Sequence, residues 1–586
     1  MRIRRILFAM ATVADHFVQT LTESGVTHVY GLPGDSLNGF TDAIRRNDGM
    51  TWQHVRNEET AAFAAAGDAA ITGELAVCAG SCGPGNLHLI NGLFDAHRSR
   101  VPVLAIAAHI PRSEIGSQYF QETHPQNLFQ ECSVFCELVS DPEMAEHVFA
   151  MAMRAAIEER GVAVVVVPGE VLLAHAEQRK ATPAIRATTS HVRPDDASLD
   201  EAASILNSSD NITILAGAGV AGAHRQLLEI AGALQAPVVH ALRGKEHVEY
   251  DNPYDVGMTG LLGFASGYRA ISHAAVLLML GTDFPYRNFY PDDAKIIQVD
   301  IRGQNLGRRA TLDVGLVGTV ADTVDALLPR VHAKTDSKHL DTSVKHYRKT
   351  RKNLDSFAVD DRHRTPIRPE YLARMANELA DDDAVFTVDV GSPVVWAARY
   401  LTMNGKRRLL GSFNHGSMAC ALPLAIGAQT AQPGRQVVAF AGDGGLTMGF
   451  GELITLMQSG LPVKVIIFDN SSLNFVELEM KAAGIVNYGT DLKNPDFAAV
   501  AQALGMFGRR VEKPQDLEAA LTDAFAYDGP AVIDVVTAAQ ELSIPPKITL
   551  EQAKGFTLYG IRTILSGRAD ELVDLADTNV RRRIFD

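Results

Sequence analysis

Between residues 442 and 470 the chain carries a carboxylate, an amide and a run of glycines spaced to hold a divalent cation against phosphate oxygens. Gly442-Asp443-Gly444-Gly445 closes the apolar run Arg435–Ala441, and a second apolar run, Val463–Phe468, ends on Asp469-Asn470. The amphipathic stretch between them, Leu446–Ser459, predicts a helix, and Pro462 marks entry into the next strand. In a parallel βαβ unit both strands finish at one sheet edge, so Asp443 and Asn470 meet there as two oxygen ligands. Mg²⁺ takes one or two protein oxygens together with phosphate oxygens and water. Glycines let a diphosphate come close to the backbone.

The elements that position this turn require a large α/β frame. The 586 residues support about three or four domains at ~150–200 residues each, and a hydrophobic fraction of 46% provides ample core. A net charge of −15 argues against nucleic acid as a general partner. Five cysteines (Cys78, Cys82, Cys132, Cys136, Cys420) form an odd set with no convincing secretory cleavage site. They read as reduced, buried thiols of a cytoplasmic protein rather than as metal ligands. No apolar run reaches the ~18 residues needed to span a bilayer. Met1–Met10 is basic and then apolar, and helical periodicity starts near Val13, so the first nine residues read as an extension with Met10 as a second candidate start.

Three segments alternate apolar strands with helical stretches, which predicts an α/β protein of three doubly wound parallel-sheet domains. The first, residues 11–175, has strands at Val26–Tyr30, Leu75–Ala79, Val101–Ala107 and Val162–Val167. The second, residues 196–335, has strands at Ile212–Ala216, Ala275–Leu280 and Lys295–Val299. A basic connector with a helix near Val344–Lys352 leads to the third, residues 369–540. The similar sizes suggest one architecture used three times. Beyond Pro545-Pro546, residues 545–586 form a C-terminal amphipathic helical tail. Phe556, Tyr559 and the row Leu558, Ile561, Leu565 make an apolar stripe flanked by Lys554, Arg562 and Arg568. Such a helix suits an anionic lipid surface, although packing on the protein's own core is the commoner use of that pattern.

The 26 residues between Asp443 and Asn470, with a glycine-rich turn before and a strand between, resemble the thiamine-diphosphate fingerprint. Asp469 stands where that family usually has a second Asn. Nearly the whole chain resembles the thiamine-diphosphate- and FAD-dependent pyruvate oxidase family, in its quinone-linked form. Thiamine chemistry needs a carboxyl group against N1′ of the aminopyrimidine. The resemblance puts Glu58 there, in Val55-Arg56-Asn57-Glu58-Glu59, with Asn57 replacing the usual His. Glu59 reads only as a first-turn helix acid. The loop Gly80-Ser81-Cys82-Gly83-Pro84-Gly85 also resembles the family's.

By the same resemblance Phe120, Gln121, Phe475 and Glu479 border a small 2-oxo acid. Thiamine diphosphate contacts Val390, Gly416, Ser417, Met418, Asp443, Gly444, Gly445 and the stretch Asn470, Ser471, Ser472, Leu473, Asn474, Phe475 and Val476. Mg²⁺ sits on Asp443, Asn470 and Ser472, and Met418 props the cofactor. In the second segment Gly217-Ala-Gly219-Val-Ala-Gly222 is a weak dinucleotide signature, because the strand after it ends on His240 rather than an acid. The resemblance assigns FAD to Gly217, Gly219, Arg243, Thr259, Gly260, Leu261, Leu262, Thr282, Asp283, Phe284, Pro285, Tyr286 and Asp300.

The implied activity is oxidative decarboxylation of pyruvate to acetate and CO₂, with electrons passing through FAD to a membrane quinone. The implied setting is a homotetramer, peripheral on the inner face of the cell membrane and activated by lipid through its tail. Three alternatives share most motifs: a soluble oxidase using O₂ and phosphate, an acetolactate synthase, and a non-catalytic membrane-associated cofactor binder. The synthases carry a Trp shortly after the metal Asn, whereas this chain has only Trp52 and Trp396.

Overall fold

The computed structural model describes residues 11–176, 184–359 and 364–539, together with 558, 559 and 562. Three six-stranded sheets, parallel throughout, are flanked by helices. The first runs in space Thr51–His54, His28–Gly31, Ala76–Gly80, Val103–His109, Val162–Pro168, Phe135–Leu138. The third runs Arg408–Gly411, Val385–Val388, Val437–Gly442, Lys464–Asp469, Ala531–Val536, Phe507–Val511, so both follow one strand order, 2-1-3-4-6-5. The central sheet differs: it runs Val314–Val317, Lys295–Asp300, Val276–Leu280, Ile212–Ala216, Val238–His240, Asp255–Met258. Read from its far edge this is 3-2-1-4-5-6, the order that binds dinucleotides where the strand sequence reverses. One architecture is therefore used twice, not three times.

Strands buried on both faces explain the continuous Val/Ile/Ala runs, such as Val162–Val167, which have no polar alternation. Two helices join the outer domains. Helix α1 (Glu58–Thr72) starts on Asn57, whose side chain accepts the backbone N–H of Glu59, and ends on Gly73 in a left-handed conformation. Its Ala61, Ala62, Ala64, Ala65 and Ala66 are buried against helix α3 (Ala421–Ala431), and helix α2 (Pro84–Ser99) packs on its other side. Small side chains permit this close crossing. A Cβ on Gly427 would lie 1.9 Å from the Ala64 carbonyl oxygen, and one on Gly67 would lie 2.5 Å from that of Leu424. Elsewhere the Arg408 guanidinium ties all three domains, donating to Glu246 of the central domain at 2.9 Å and to the Ala70 carbonyl at 3.0 Å.

The helix expected over 446–459 is two helices, α4 (Asp443–Met448) and α5 (Glu452–Ser459). Gly449-Phe450-Gly451 breaks it, and Phe450 packs on Phe497 with ring centroids 5.9 Å apart. The connector helix is longer than expected, Lys338–Asp355. Most of the tail lies outside the described residues. Within it Tyr559 is buried, with Lys481 Nζ 5.4 Å from its ring centroid, and Arg562 donates to the Gly484 carbonyl at 2.6 Å. Tyr559 of the apolar stripe thus faces protein. Among the described residues no helix is long and apolar enough to cross a membrane.

The α1–α3 crossing leaves no room for a methyl group at residue 427. Gly427→Ala is expected to destabilise the protein by about 3 kcal/mol. Gly434→Ala, where a Cβ meets nothing within 4 Å, should stay within about 0.5 kcal/mol. Chemical denaturation of the two variants side by side checks this.

Candidate active site

Strands Val437–Gly442 and Lys464–Asp469 are neighbours, with Gly442 opposite Phe468, so Asp443 and Asn470 emerge side by side at one sheet edge. The Asp443 side chain is 3% exposed. Its Oδ2 accepts three N–H groups: the backbone amides of Asn470 (3.2 Å) and Ser471 (2.7 Å), and Asn494 Nδ2 (2.8 Å). Among the described residues its Oδ1 accepts from Gly444 N alone, at 2.8 Å. Asn470 Oδ1 accepts from Ser472 N at 3.0 Å, and Ser471 holds a left-handed backbone (φ 55°) that turns this loop. The Ser472 hydroxyl donates to Glu477 at 2.7 Å, which leaves its carbonyl as the group suited to a cation.

A short cradle surrounds the turn. Asp389, just beyond strand Val385–Val388, accepts from Ala421 N (2.8 Å) and Gly442 N (3.2 Å). A Cβ on Gly445 would lie 2.3 Å from the Asp389 carboxylate, and one on Gly444 would meet Leu473 at 2.6 Å and Met418 Cε at 3.5 Å. Val390, half-buried, follows Asp389 at this edge. Gly416 has φ +87° with open space at its Cβ position. Ser412 Oγ accepts from the backbone amides of Gly416 and Ser417 and donates to buried Asp95 at 2.8 Å, which fixes that loop. Beyond the turn, Asn474 donates to the Ala539 carbonyl, Phe475 packs partly on the third-domain core, and Val476 and Glu479 are exposed.

Glu58 opens α1 and is 5% exposed, with Oε2 2.9 Å from His88 Nδ1 on α2. Gly85 packs against its other oxygen, since a Cβ there would lie 3.0 Å from Glu58 Oε1. The junction before it is held from the third domain: buried Glu452 on α5 accepts the backbone N–H of Arg56 at 3.0 and 3.2 Å. Asn91 on α2 joins the halves as well, donating to Glu59 (2.7 Å) and Ser417 Oγ (3.0 Å) and bonding His415 Nε2 (2.8 Å). Glu59 is therefore an anchor as well as a first-turn acid. Gln121 has φ 64° and accepts the Cys82 thiol at 3.3 Å, while Phe120 is 78% exposed.

In the central domain the strand order reverses between Ile212–Ala216 and Val276–Leu280. The loops that follow them meet there: a Cβ on Gly219 would lie 2.6 Å from Gly281 Cα, and one on Gly217 would lie 2.6 Å from Thr282 Cβ. Asp300 is buried and accepts from Arg302 N (2.8 Å) and Asn305 Nδ2 (3.1 Å). Arg243 donates to the Ser99 carbonyl at 2.7 Å, and Asp283 pairs with Arg308 at 3.2 Å. Phe284 is buried under Gly260 with Tyr286 edge-on at 5.4 Å, while Pro285, Tyr286 and Leu261 are exposed and Leu262 packs on the third-domain core. The buried Thr259 hydroxyl has no hydrogen-bond partner among the described residues, an orphan that a ligand oxygen would satisfy.

Comparison with known proteins gives three successive matches: "Thiamine pyrophosphate enzyme, N-terminal TPP binding domain" over residues 11–130, the central domain over 199–327, and the C-terminal TPP binding domain over 389–535. An uncharacterized 42.6 kDa protein of Pseudomonas amyloderamosa is 59% identical over 371 residues, covering 62% of this chain and 94% of that one. A putative thiamine pyrophosphate-containing protein, YdaP, of Bacillus subtilis is 36% identical over 97% of this chain and 98% of its own length. This chain belongs to the thiamine-pyrophosphate enzyme family. Pyruvate oxidase of Lactiplantibacillus plantarum is 28% identical over 92% of this chain and 90% of its own, and acetolactate synthases match over similar lengths, the one from Mycobacterium bovis at 30%.

The donor set fits the magnesium diphosphate of a thiamine-pyrophosphate enzyme. Without a cation, burial pushes the Asp443 carboxyl up to about 6, with Asp469 adding to the shift, and Asp389 likewise rises to about 6 through burial. A hard divalent ion on Asp443 Oδ1 would offset that charge. Among the described residues no three His, Cys, Asp or Glu side chains gather as a metal site, as expected where one carboxylate works with amide, carbonyl and phosphate oxygens. All five cysteines are free, and burial pushes the Cys132 and Cys136 thiols up to about 12. Asp389, Asn494, His88, Asn91, Asp95 and Glu452 escaped the sequence reading. Each acts across elements far apart in the chain, although Asp389 does sit at a strand end, next to the predicted Val390.

Protons compete with the cation for Asp443. Mg²⁺ affinity in the presence of thiamine diphosphate is therefore expected to level off above pH 6 and to fall about tenfold per pH unit below it. Calorimetric titration between pH 5 and 8 checks this.

Proposed function

We propose that the chain is a peripheral membrane flavoenzyme that converts pyruvate and water to acetate and CO₂ and passes two electrons and two protons to a membrane quinone. Bound thiamine diphosphate supplies an electron sink for decarboxylating a 2-oxo acid, and bound FAD supplies a two-electron acceptor. The chain's own groups do the rest. Glu58 Oε holds the proton shared with N1′ of the aminopyrimidine, and the His88 imidazole, 2.9 Å away, fixes that carboxyl and links it to solvent. Asp443, Asn470 and the Ser472 carbonyl would hold Mg²⁺, and Met418, beside Gly444, would support the thiamine cofactor. Phe120, Gln121, Phe475 and Glu479 border pyruvate. Asp300, Thr259, Gly260 and Arg243 hold FAD at the reversal of the central sheet.

The observation that favours oxidation over acetolactate synthesis lies after Asn470: residues 471–482 contain no Trp, and Trp396 is buried in the third-domain core. Phe120, Tyr488 and Met448, exposed by 78, 89 and 64%, support an assembly in which further copies cover them. A homotetramer suits such coverage. The tail's basic-amphipathic pattern supports lipid activation at the inner face of the cell membrane.

Purified protein loaded with thiamine diphosphate, Mg²⁺ and FAD is expected to bleach its flavin when pyruvate is added anaerobically. It should reduce a soluble quinone analogue faster with anionic vesicles, an increase lost on truncation near Pro546. Glu58→Gln should bind the cofactors and lose turnover about 100-fold or more. Acetolactate formed from two pyruvates with the flavin still oxidised would overturn the reading, and acetyl phosphate formed with O₂ would redirect it to the soluble oxidases.

A further inference from the structure

Asp469 stands beside the cation ligand Asn470 as a second carboxylate only one bonded group away from Asp443. Two carboxylates so placed repel each other and compete for one cation unless a donor lies between them. Asn494 lies there: its Nδ2 donates to Asp443 Oδ2 at 2.8 Å and to Asp469 Oδ1 at 2.7 Å. Both amide hydrogens are thereby used, and the opposite amide orientation would aim its carbonyl at two carboxylates. We propose that Asn494 is a positioning residue of the cation site, turning Asp443 Oδ1 toward the metal and holding Asp469 off it.

Three observations carry this. First, the Asn494 bond adds a third donor to Asp443 Oδ2, beside Asn470 N and Ser471 N, while among the described residues Oδ1 accepts from Gly444 N alone and keeps a lone pair for a cation. Second, both Asp469 oxygens are engaged, Oδ1 by Asn494 and Oδ2 by the Arg510 guanidinium at 3.2 Å, which also pairs with Asp534 at 2.5 Å. Asp469 Oδ2 is thereby tied to Arg510, while Oδ1 is shared by Asn494 and, at 3.5 Å, the Ser471 hydroxyl. Third, Asn494 is held rigidly. Its segment pairs with the cation loop through Leu492 N to the Ser471 carbonyl and Leu473 N to the Thr490 carbonyl, each 2.8 Å, and Pro495 restricts its backbone to extended conformations. The carboxylate at 469, where the family usually has an amide, is thus accommodated by an amide supplied from residue 494.

The inference rests on Asp443 being a cation ligand, and the experiment separates the two claims. Full-length apoprotein saturated with thiamine diphosphate is titrated with Mg²⁺ by calorimetry, and the melting temperature of each apoprotein is recorded alongside. Asp443→Asn should abolish Mg²⁺ binding; unchanged binding would refute the ligand assignment itself, whatever Asn494 does. Asn494→Ala should raise the Mg²⁺ Kd by about tenfold or more, the size typical of groups that orient a metal ligand. A lowered melting temperature with an unchanged Kd would make Asn494 merely structural and overturn the proposal. Asp469→Asn keeps Asn494 in place and should shift the Kd by less than about threefold. A tenfold loss in that variant would make Asp469 a ligand and overturn the proposal even if Asn494→Ala does not fold.

Discussion

The contact on which the rest of the structure depends is the crossing of α1 and α3, where Gly427 faces the Ala64 carbonyl with no space between them. It joins the first and third sheets into one apolar cluster running from Val164 through Ala62 to Val437. The same α1 carries Glu58 on its first turn, and α3 opens at Ala421, whose N–H binds Asp389 beneath the diphosphate turn. The distance between two packed helices thereby sets the frame for an acid in one domain and a cation turn in another. Interiors this dense transmit displacement instead of absorbing it.

Around that crossing the chain buries an unusual number of carboxylates: Glu58, Asp95, Asp389, Asp443, Glu452 and Asp469. Burial alone disfavours their charged forms, and Asp95, Asp389 and Asp443 are each pushed up to about 6. Backbone N–H groups offset part of that cost, with two on Asp389 and three on Asp443. Asp469 pairs with the Arg510 guanidinium, and the charge of Arg243 works against the upward shift of Asp95. The third domain is thus left with negative potential at the very edge where its strands end, which suits a site completed by a divalent cation.

The sheet fold was legible because strands buried on both faces announce themselves as unbroken apolar runs. Ile212–Ala216 matches its observed bounds, and the other strands expected from the sequence shift by at most two residues at either end. The split of the 446–459 helix was not, since Gly449 and Gly451 each look tolerable until Phe450 finds its place on Phe497. The different order of the central sheet was equally hidden, because strand alternation says nothing about which strands become neighbours. In the site, the residues carried by short local patterns were readable. Asn494, 51 residues from Asp443 in the chain, was not, because a single Asn before Pro looks like any other loop.

Asn57, Glu58 and Glu59 show how adjacent residues in one stretch of chain come to face different surroundings. Where the family usually places His, Asn57 caps α1 through Glu59 N, and a capped first turn keeps the following side chains in fixed directions. Glu59 then turns out to Asn91 and Glu58 turns in to His88. Both are acids at a helix N-terminus, where either would stabilise the helix. Only burial and partner separate them: Glu58 is closed off beneath Gly85, its carboxyl held in one place against a half-exposed imidazole. Glu59 instead spends its carboxylate on an amide that ties two domains together. The difference in surroundings between adjacent glutamates is thus created by what α2 presents to each of them, and it appears only once α1 and α2 are packed.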